Sequence, residues 1–230
     1  MGDLFRFGQW TGYGAKTAFL NLAAAIVLNA APALADEVTI AALGDSLTQG
    51  YGLAPEAGFT RQLEAWLDAR GADVTVINAG VSGDTTAGGL ARAAWTLTPD
   101  VDALIVALGG NDMLRGIDPA AARANLVGIL QAAAGQDVPV LLAGMRAPGN
   151  FGPDYKAAFD GIYPDLAAEY DTVFYQSFLG PITDQPDRAA ALSAYMQADG
   201  IHPNAGGVAL VVEGIGPSVL ELIERAAPES

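Results

Sequence analysis

The chain has no cysteine in its 230 residues. Thiol catalysis and thiolate metal sites are excluded, and stability cannot rest on disulfides. Histidine is almost as scarce, since His202 stands alone. Chemistry that needs a neutral base near pH 7 falls to this residue, because imidazole is the one common side chain with an unperturbed pKa in that range. Basic residues are few: 11 Lys and Arg face 26 Asp and Glu, for a formal charge of −15. Phosphate backbones repel such a chain, so nucleic acid is not an expected partner. Anionic membranes should bind it poorly. The acidity reads as solubility. A composition 51% hydrophobic and only 16% charged is that of a folded domain rather than a disordered chain.

The apolar segment Ala18 to Leu28 is too short to span a bilayer. Arg6 and Lys16 precede it and Ala33-Leu34-Ala35 follows. Basic, apolar, then small-x-small is the order of a secretory signal peptide. Residues 1–35 are therefore expected to be removed, leaving a mature domain over 36–230; an uncleaved membrane anchor is the alternative. A lipoprotein would need an acceptor cysteine. Removal takes away Arg6, Lys16 and Asp3, which leaves 9 basic against 25 acidic residues and a charge of −16. The expected location is periplasmic or secreted, with no stable membrane insertion after cleavage and a monomer or weak oligomer in solution. About 195 residues are enough for one core to carry the fold.

Five short apolar runs recur: Val38 to Leu43, Val74 to Asn78, Val101 to Leu108, Val138 to Ala143 and Thr172 to Tyr175. They are aliphatic rather than alternating, as parallel strands buried on both faces should be. Helical patterns separate them. Phe59, Leu63, Trp66 and Leu67 share one face. Asp118-Pro119 reads as an N-cap with Pro at N1, ahead of Ala122, Leu126, Ile129 and Leu130. Tyr155 to Ala168 is helical, with a kink or break expected at Pro164. Asn204 is expected to cap a helix to about Glu213; Gly214-Ile215-Gly216-Pro217 should interrupt it before a last helix to about Arg225. Alternating strand and helix predicts one α/β domain, a three-layer α/β/α sandwich around a five-stranded parallel sheet.

Four loops carry the chemistry. They are Gly44-Asp45-Ser46-Leu47 after the first strand, Asn78-Ala79-Gly80 after the second, Gly110-Asn111-Asp112 after the third, and Asp199-Gly200-Ile201-His202-Pro203 near the end. In open parallel sheets such loops meet at the carboxyl edge, where ligands bind. Ser46 is a weak nucleophile until a base takes its proton. His202 is that base, and Asp199, three residues away, can hold its tautomer. The attacked carbonyl becomes an oxyanion that needs preorganised donors; the Ser46 and Gly80 N–H groups and the Asn111 amide suit it. No metal or organic cofactor is needed. Each residue taken singly has a plainer reading: Ser46 as a turn serine, Gly80 and Gly83 as positive-φ glycines, Asn111 as a turn residue, Asp199 as a helix cap, His202 as a surface residue. Met145 and Phe151 read as loop packing. Joint occurrence of the four loops favours a serine hydrolase.

These four blocks resemble the SGNH (GDSL) hydrolase family, whose blocks contribute Ser, Gly, Asn and His in that order; here they match Ser46, Gly80, Asn111 and His202 with Asp199. The resemblance covers essentially the whole mature chain. Arg146 to Tyr155 and Phe159 to Pro164 further resemble the bacterial periplasmic thioesterase I/lysophospholipase/arylesterase branch. The resemblance implies a flavodoxin-like sheet of order 2-1-3-4-5 and an esterase of broad acyl specificity, with a small acyl ester or thioester as partner. An acyl or acetyltransferase on the same site, a non-catalytic binding domain and a flavin-binding protein are the competing readings. The Gly216-Pro217 break looks unlike an uninterrupted C-terminal helix.

Overall fold

In a computed structural model that describes residues 37–227, the five apolar runs form five parallel strands. They are β1 (Val38–Gly44), β2 (Val74–Gly80), β3 (Ala103–Ala107), β4 (Val140–Ala143) and β5 (Val173–Tyr175), paired in the order β2-β1-β3-β4-β5. The expected signal segment, residues 1–35, lies outside the described residues. The helices are α1 (Ser46–Gln49), α2 (Phe59–Asp68), α3 (Thr86–Thr96), α4 (Gly110–Arg115), α5 (Pro119–Ala134), α6 (Pro153–Asp160), α7 (Ile162–Glu169), α8 (Gly180–Thr183), α9 (Arg188–Tyr195) and α10 (Ala205–Ala226).

The strand order dictates the layers. Right-handed crossovers place α2, between β1 and β2, on one face. Helices α3, α5 and α7 link strands that step the other way across the sheet, so they take the other face. Accordingly α3 packs on α5, and α10 returns to pack on α2. The strand order reverses beside β1, so its loop and that of β3 diverge at the carboxyl edge and open a crevice.

Strands β3 and β4 are wholly buried, as expected. Strand β2 is not: it is one of the two edge strands, with Val76 buried and Ile77 exposed. Glu64 accepts from the Val76 N–H at 3.1 Å, which blunts that edge against pairing with another chain. β2 also runs two residues further than its apolar run, because Asn78–Gly80 still pair with Ala42–Gly44. Strands β3 and β4 are shorter than theirs.

Two helix expectations need correction. The Tyr155 to Ala168 stretch breaks at Gly161, between α6 and α7, and not at Pro164. Pro164 falls in the first turn of α7, where an N–H has no intrahelical acceptor to lose. The Gly214–Pro217 segment does not interrupt the last helix either; α10 runs unbroken through Pro217, so the supposed departure from the family pattern disappears. An internal proline costs about 3 kcal/mol. Val211, Val212, Ile215, Val219 and Leu222 are all buried, at about 1.5–3 kcal/mol each, and outweigh it. The glycines are contact positions. A Cβ on Gly216 would come within 2.5 Å of the Trp66 ring, and one on Gly214 within 2.5 Å of the Tyr175 hydroxyl. Asn204 caps α10 as expected, accepting from Gly207 N–H at 3.0 Å.

Gly216→Ala should therefore lower stability by about 1–3 kcal/mol through overpacking, although alanine gains about 1 kcal/mol over glycine in helix propensity. Urea unfolding of G216A against wild type measures this, and Trp66→Leu in the same background should recover part of the loss. Unchanged stability in G216A would show that the α2–α10 contact does not need the glycine.

Candidate active site

Ser46 is the first residue of α1. Asp45 caps that turn, accepting from Leu47 N–H at 3.0 Å. The strand-to-helix turn is so tight that side chains are excluded on both sides. A Cβ on Gly44 would lie 1.9 Å from Thr48 Oγ1, and one on Gly80 would lie 2.3 Å from the Gln49 nitrogen. Gly80 is thus required by close approach and not by a positive φ, whereas Gly83 does adopt φ 84°.

The structure brings Ser46, His202 and Asp199 together. His202 Nε2 is 2.8 Å from Ser46 Oγ, and Nδ1 is 2.7 Å from Asp199 Oδ2. The His202 N–H at 3.0 Å, the His202 ring and the Ile201 N–H at 2.9 Å all donate to Asp199. Together they hold its carboxyl down at about 2. An ionised carboxylate only accepts, so Nδ1 carries the ring proton and Nε2 faces the serine as acceptor. Asp199 does not cap α10; that role is Asn204's. Gln197 clips the loop in place: its N–H donates to the His202 carbonyl at 2.7 Å and its amide to the Tyr51 carbonyl at 2.8 Å. The Tyr51 ring lies 4.6 Å from the imidazole, centroid to centroid.

Gly80 and Asn111 reach the same edge. Asn111, in the first turn of α4, donates from Nδ2 to the Asp84 carbonyl at 2.9 Å and, at a long 3.3 Å, to Asp45 Oδ2. The Gly80 N–H donates to Asn78 Oδ1 at 3.0 Å within its own turn. The Ser46 N–H sits at a helix start, where amides lack intrahelical acceptors. Beside Ser46 and His202 opens a cleft of about 830 Å³, its apolar lining including Leu47, Leu114, Met145 and Ile201. Met145 is buried but also lines this cleft, so the reading as loop packing alone does not hold for it; Phe151 is exposed, with its ring against Tyr155. The Arg146–Asp184 ion pair and Lys156 sit in the cleft wall. A smaller hollow of about 490 Å³ borders Gln49 to Pro55 and contains neither Ser46 nor His202.

Residues 42–210 match the model of the GDSL-like lipase/acylhydrolase family. The chain is 38% identical over 186 residues to "Esterase TesA" of Pseudomonas aeruginosa, covering 80% of this chain and 89% of that protein. It is 34% identical over 201 residues to "Thioesterase 1/protease 1/lysophospholipase L1" of Escherichia coli K12, covering 87% and 91%. Among solved structures it resembles AlinE4, an SGNH-hydrolase family esterase, at a TM-score of 0.66 and 45% identity, over 81% of this chain and 96% of that one.

Asp45 and Arg92 are site-edge residues that sequence reasoning passed over. Asp45 lies within Gly44-Asp45-Ser46-Leu47, yet only burial marks it out: it is 2% exposed, next to Ser46. Burial pushes its carboxyl up from 3.8 to about 6, against the opposing pull of Leu47 N–H, His202 and Asn111. Between those two values the folded state binds more protons than the unfolded one, so stability falls as pH rises through the window. Two pKa units correspond to ~3 kcal/mol. Asp45→Asn should therefore gain ~3 kcal/mol on wild type between about pH 4 and about pH 7, read from urea midpoints at both pH values. A difference that stays constant would mean the buried carboxyl is ionised throughout.

Proposed function

Because the chain belongs to the GDSL-like lipase/acylhydrolase family, we propose that it is an exported serine esterase of broad acyl specificity acting through Ser46, His202 and Asp199. The observation that carries this reading is the unbroken hydrogen-bond relay from Ser46 Oγ through His202 to Asp199, at 2.8 and 2.7 Å. His202 Nε2 takes the Ser46 proton as Oγ attacks the acyl carbonyl. The ionised Asp199 stabilises the imidazolium that forms. The developing oxyanion takes the Ser46 N–H and the Asn111 proton that now has only the long contact to Asp45. The Gly80 N–H is a third donor, shared with Asn78. Catalytic hydrogen bonds of this kind tighten in the substrate complex. The imidazolium returns its proton to the leaving alcohol or thiol. Water, deprotonated by His202, then releases the acid from the acyl-enzyme.

The apolar cleft suits acyl chains, with the ion pair and Lys156 in its wall beside them. The names of the relatives extend the proposed substrates to carboxylic esters, thioesters and lysophospholipids, and we include aryl esters. An apolar pocket separates substrates by only about 1–3 kcal/mol per methylene, which favours broad acyl specificity.

Hydrolysis of p-nitrophenyl acetate and butyrate by the mature protein tests the assignment. Ser46→Ala and His202→Ala should each lose about 10³-fold or more in kcat while the fold is kept. Wild-type turnover by Ser46→Ala would sink the mechanism. Failure of wild type to label at Ser46 with a fluorophosphonate would favour a binding domain, and efficient acyl transfer to added alcohols would favour a transferase. For export, N-terminal sequencing of protein recovered outside the cytoplasm should begin at Asp36; a retained residue 1–35 segment would contradict a cleaved signal.

A further inference from the structure

Arg92, on α3, takes no part in the proton relay, yet its side chain is only 23% exposed and each of its three guanidinium nitrogens donates a hydrogen bond. Nε donates to Asp84 Oδ2 at 2.7 Å, Nη1 to the Ala79 carbonyl at 2.6 Å and Nη2 to the Gly44 carbonyl at 2.8 Å. Each acceptor adjoins a different oxyanion donor. The Ala79 carbonyl and the Gly80 N–H belong to one peptide group. The Gly44 carbonyl ends β1 immediately before Asp45-Ser46 and also accepts from Val81 N–H at 3.1 Å. Asp84 offers its carboxylate to Arg92 and its carbonyl to the Asn111 amide.

We propose that Arg92 is the positioning residue of the oxyanion site: one guanidinium fixes the Gly80 peptide, the approach to Ser46 and, through Asp84, the amide of Asn111. This rests on the esterase reading above. Three acceptors, one at the end of β1 and two at and just beyond the end of β2, need a rigid planar fork of donors, which arginine has and lysine lacks. A cation on the Ala79 carbonyl also polarises the shared peptide and strengthens its N–H as a donor. The local sequence accommodates the device. Gly88 lies one turn before Arg92, and a Cβ there would come within 2.4 Å of Asp84 Oδ1, so glycine leaves room for the carboxylate. A purely structural brace between α3 and the strand ends would lower stability but leave the chemistry of the folded molecule alone.

The experiment compares wild type, Arg92→Lys, Arg92→Ala and Asp84→Ala, the last keeping the carbonyl that Asn111 uses. Folding is checked by circular dichroism and urea unfolding. The readouts are kcat and KM for p-nitrophenyl butyrate and the rate of fluorophosphonate labelling. Misplacing catalytic groups by about 1 Å costs about 10²-fold. We expect kcat and labelling to fall together by about 10- to 100-fold in both Arg92 variants, with KM nearly unchanged and a smaller fall in Asp84→Ala. Added guanidinium should restore part of kcat to Arg92→Ala and none to Ser46→Ala. Folded Arg92 variants with wild-type kcat, or a loss that appears only in stability, would overturn the inference while leaving the esterase reading intact. Should Arg92→Ala not fold, Asp84→Ala with unchanged kcat and labelling would overturn it equally. Wild type that neither turns over ester nor labels would remove both readings together.

Discussion

Ser46 begins a short helix just where a strand ends, and the space for that turn is set by two hydrogen atoms. Gly44 and Gly80 present no Cβ to Thr48 and Gln49, so α1 can fold back across the ends of β1 and β2. The flush pairing of Gly44 with Gly80 in the sheet brings the two carboxyl ends level. Everything else at the site is arranged around the serine this turn holds up. Arg92 gathers the carbonyls at the strand ends, α4 brings Asn111 from the next strand, and the loop before α10 supplies the histidine.

Two carboxylates flank the relay and experience opposite environments. Asp199 lies at the surface among N–H donors and an imidazole, and its carboxyl is held at about 2. Asp45 lies buried beside Ser46 with few donors, and burial carries it to about 6. Carboxyls whose environments drive their acidities apart serve different tasks. The outer one orients the imidazole ring; the inner one caps the turn and meets the Asn111 amide.

The layout of the fold was legible because buried parallel strands and amphipathic helices leave strong patterns. The runs around Leu104 and Leu141 are short, aliphatic and wholly buried. The Asp118-Pro119 start of α5 and the Asn204 cap of α10 are local signals with local causes. Glycine misled where its role was tertiary. Gly214 and Gly216 resemble a helix break, yet they make room for Tyr175 and Trp66. Gly88 and Gly89 dilute the apolar pattern of α3, which went unread, although they clear space for Asp84 and Leu108. The four loops were legible in the same way, three as residue types at strand ends and the fourth as an acid and a histidine three residues apart before the last helix. Their supports, Arg92 and Asp84 above all, bind through carbonyls and carboxylates of distant loops, and a sequence does not display which carbonyl faces which guanidinium.

The contact between Ser46 and His202 joins residues 156 positions apart, while β1 meets its own neighbours β2 and β3 over much shorter spans. A backbone cut anywhere between them would leave Ser46 on one fragment and His202 on the other. Sheet pairing and helix packing alone would then hold the two ends of that hydrogen bond together.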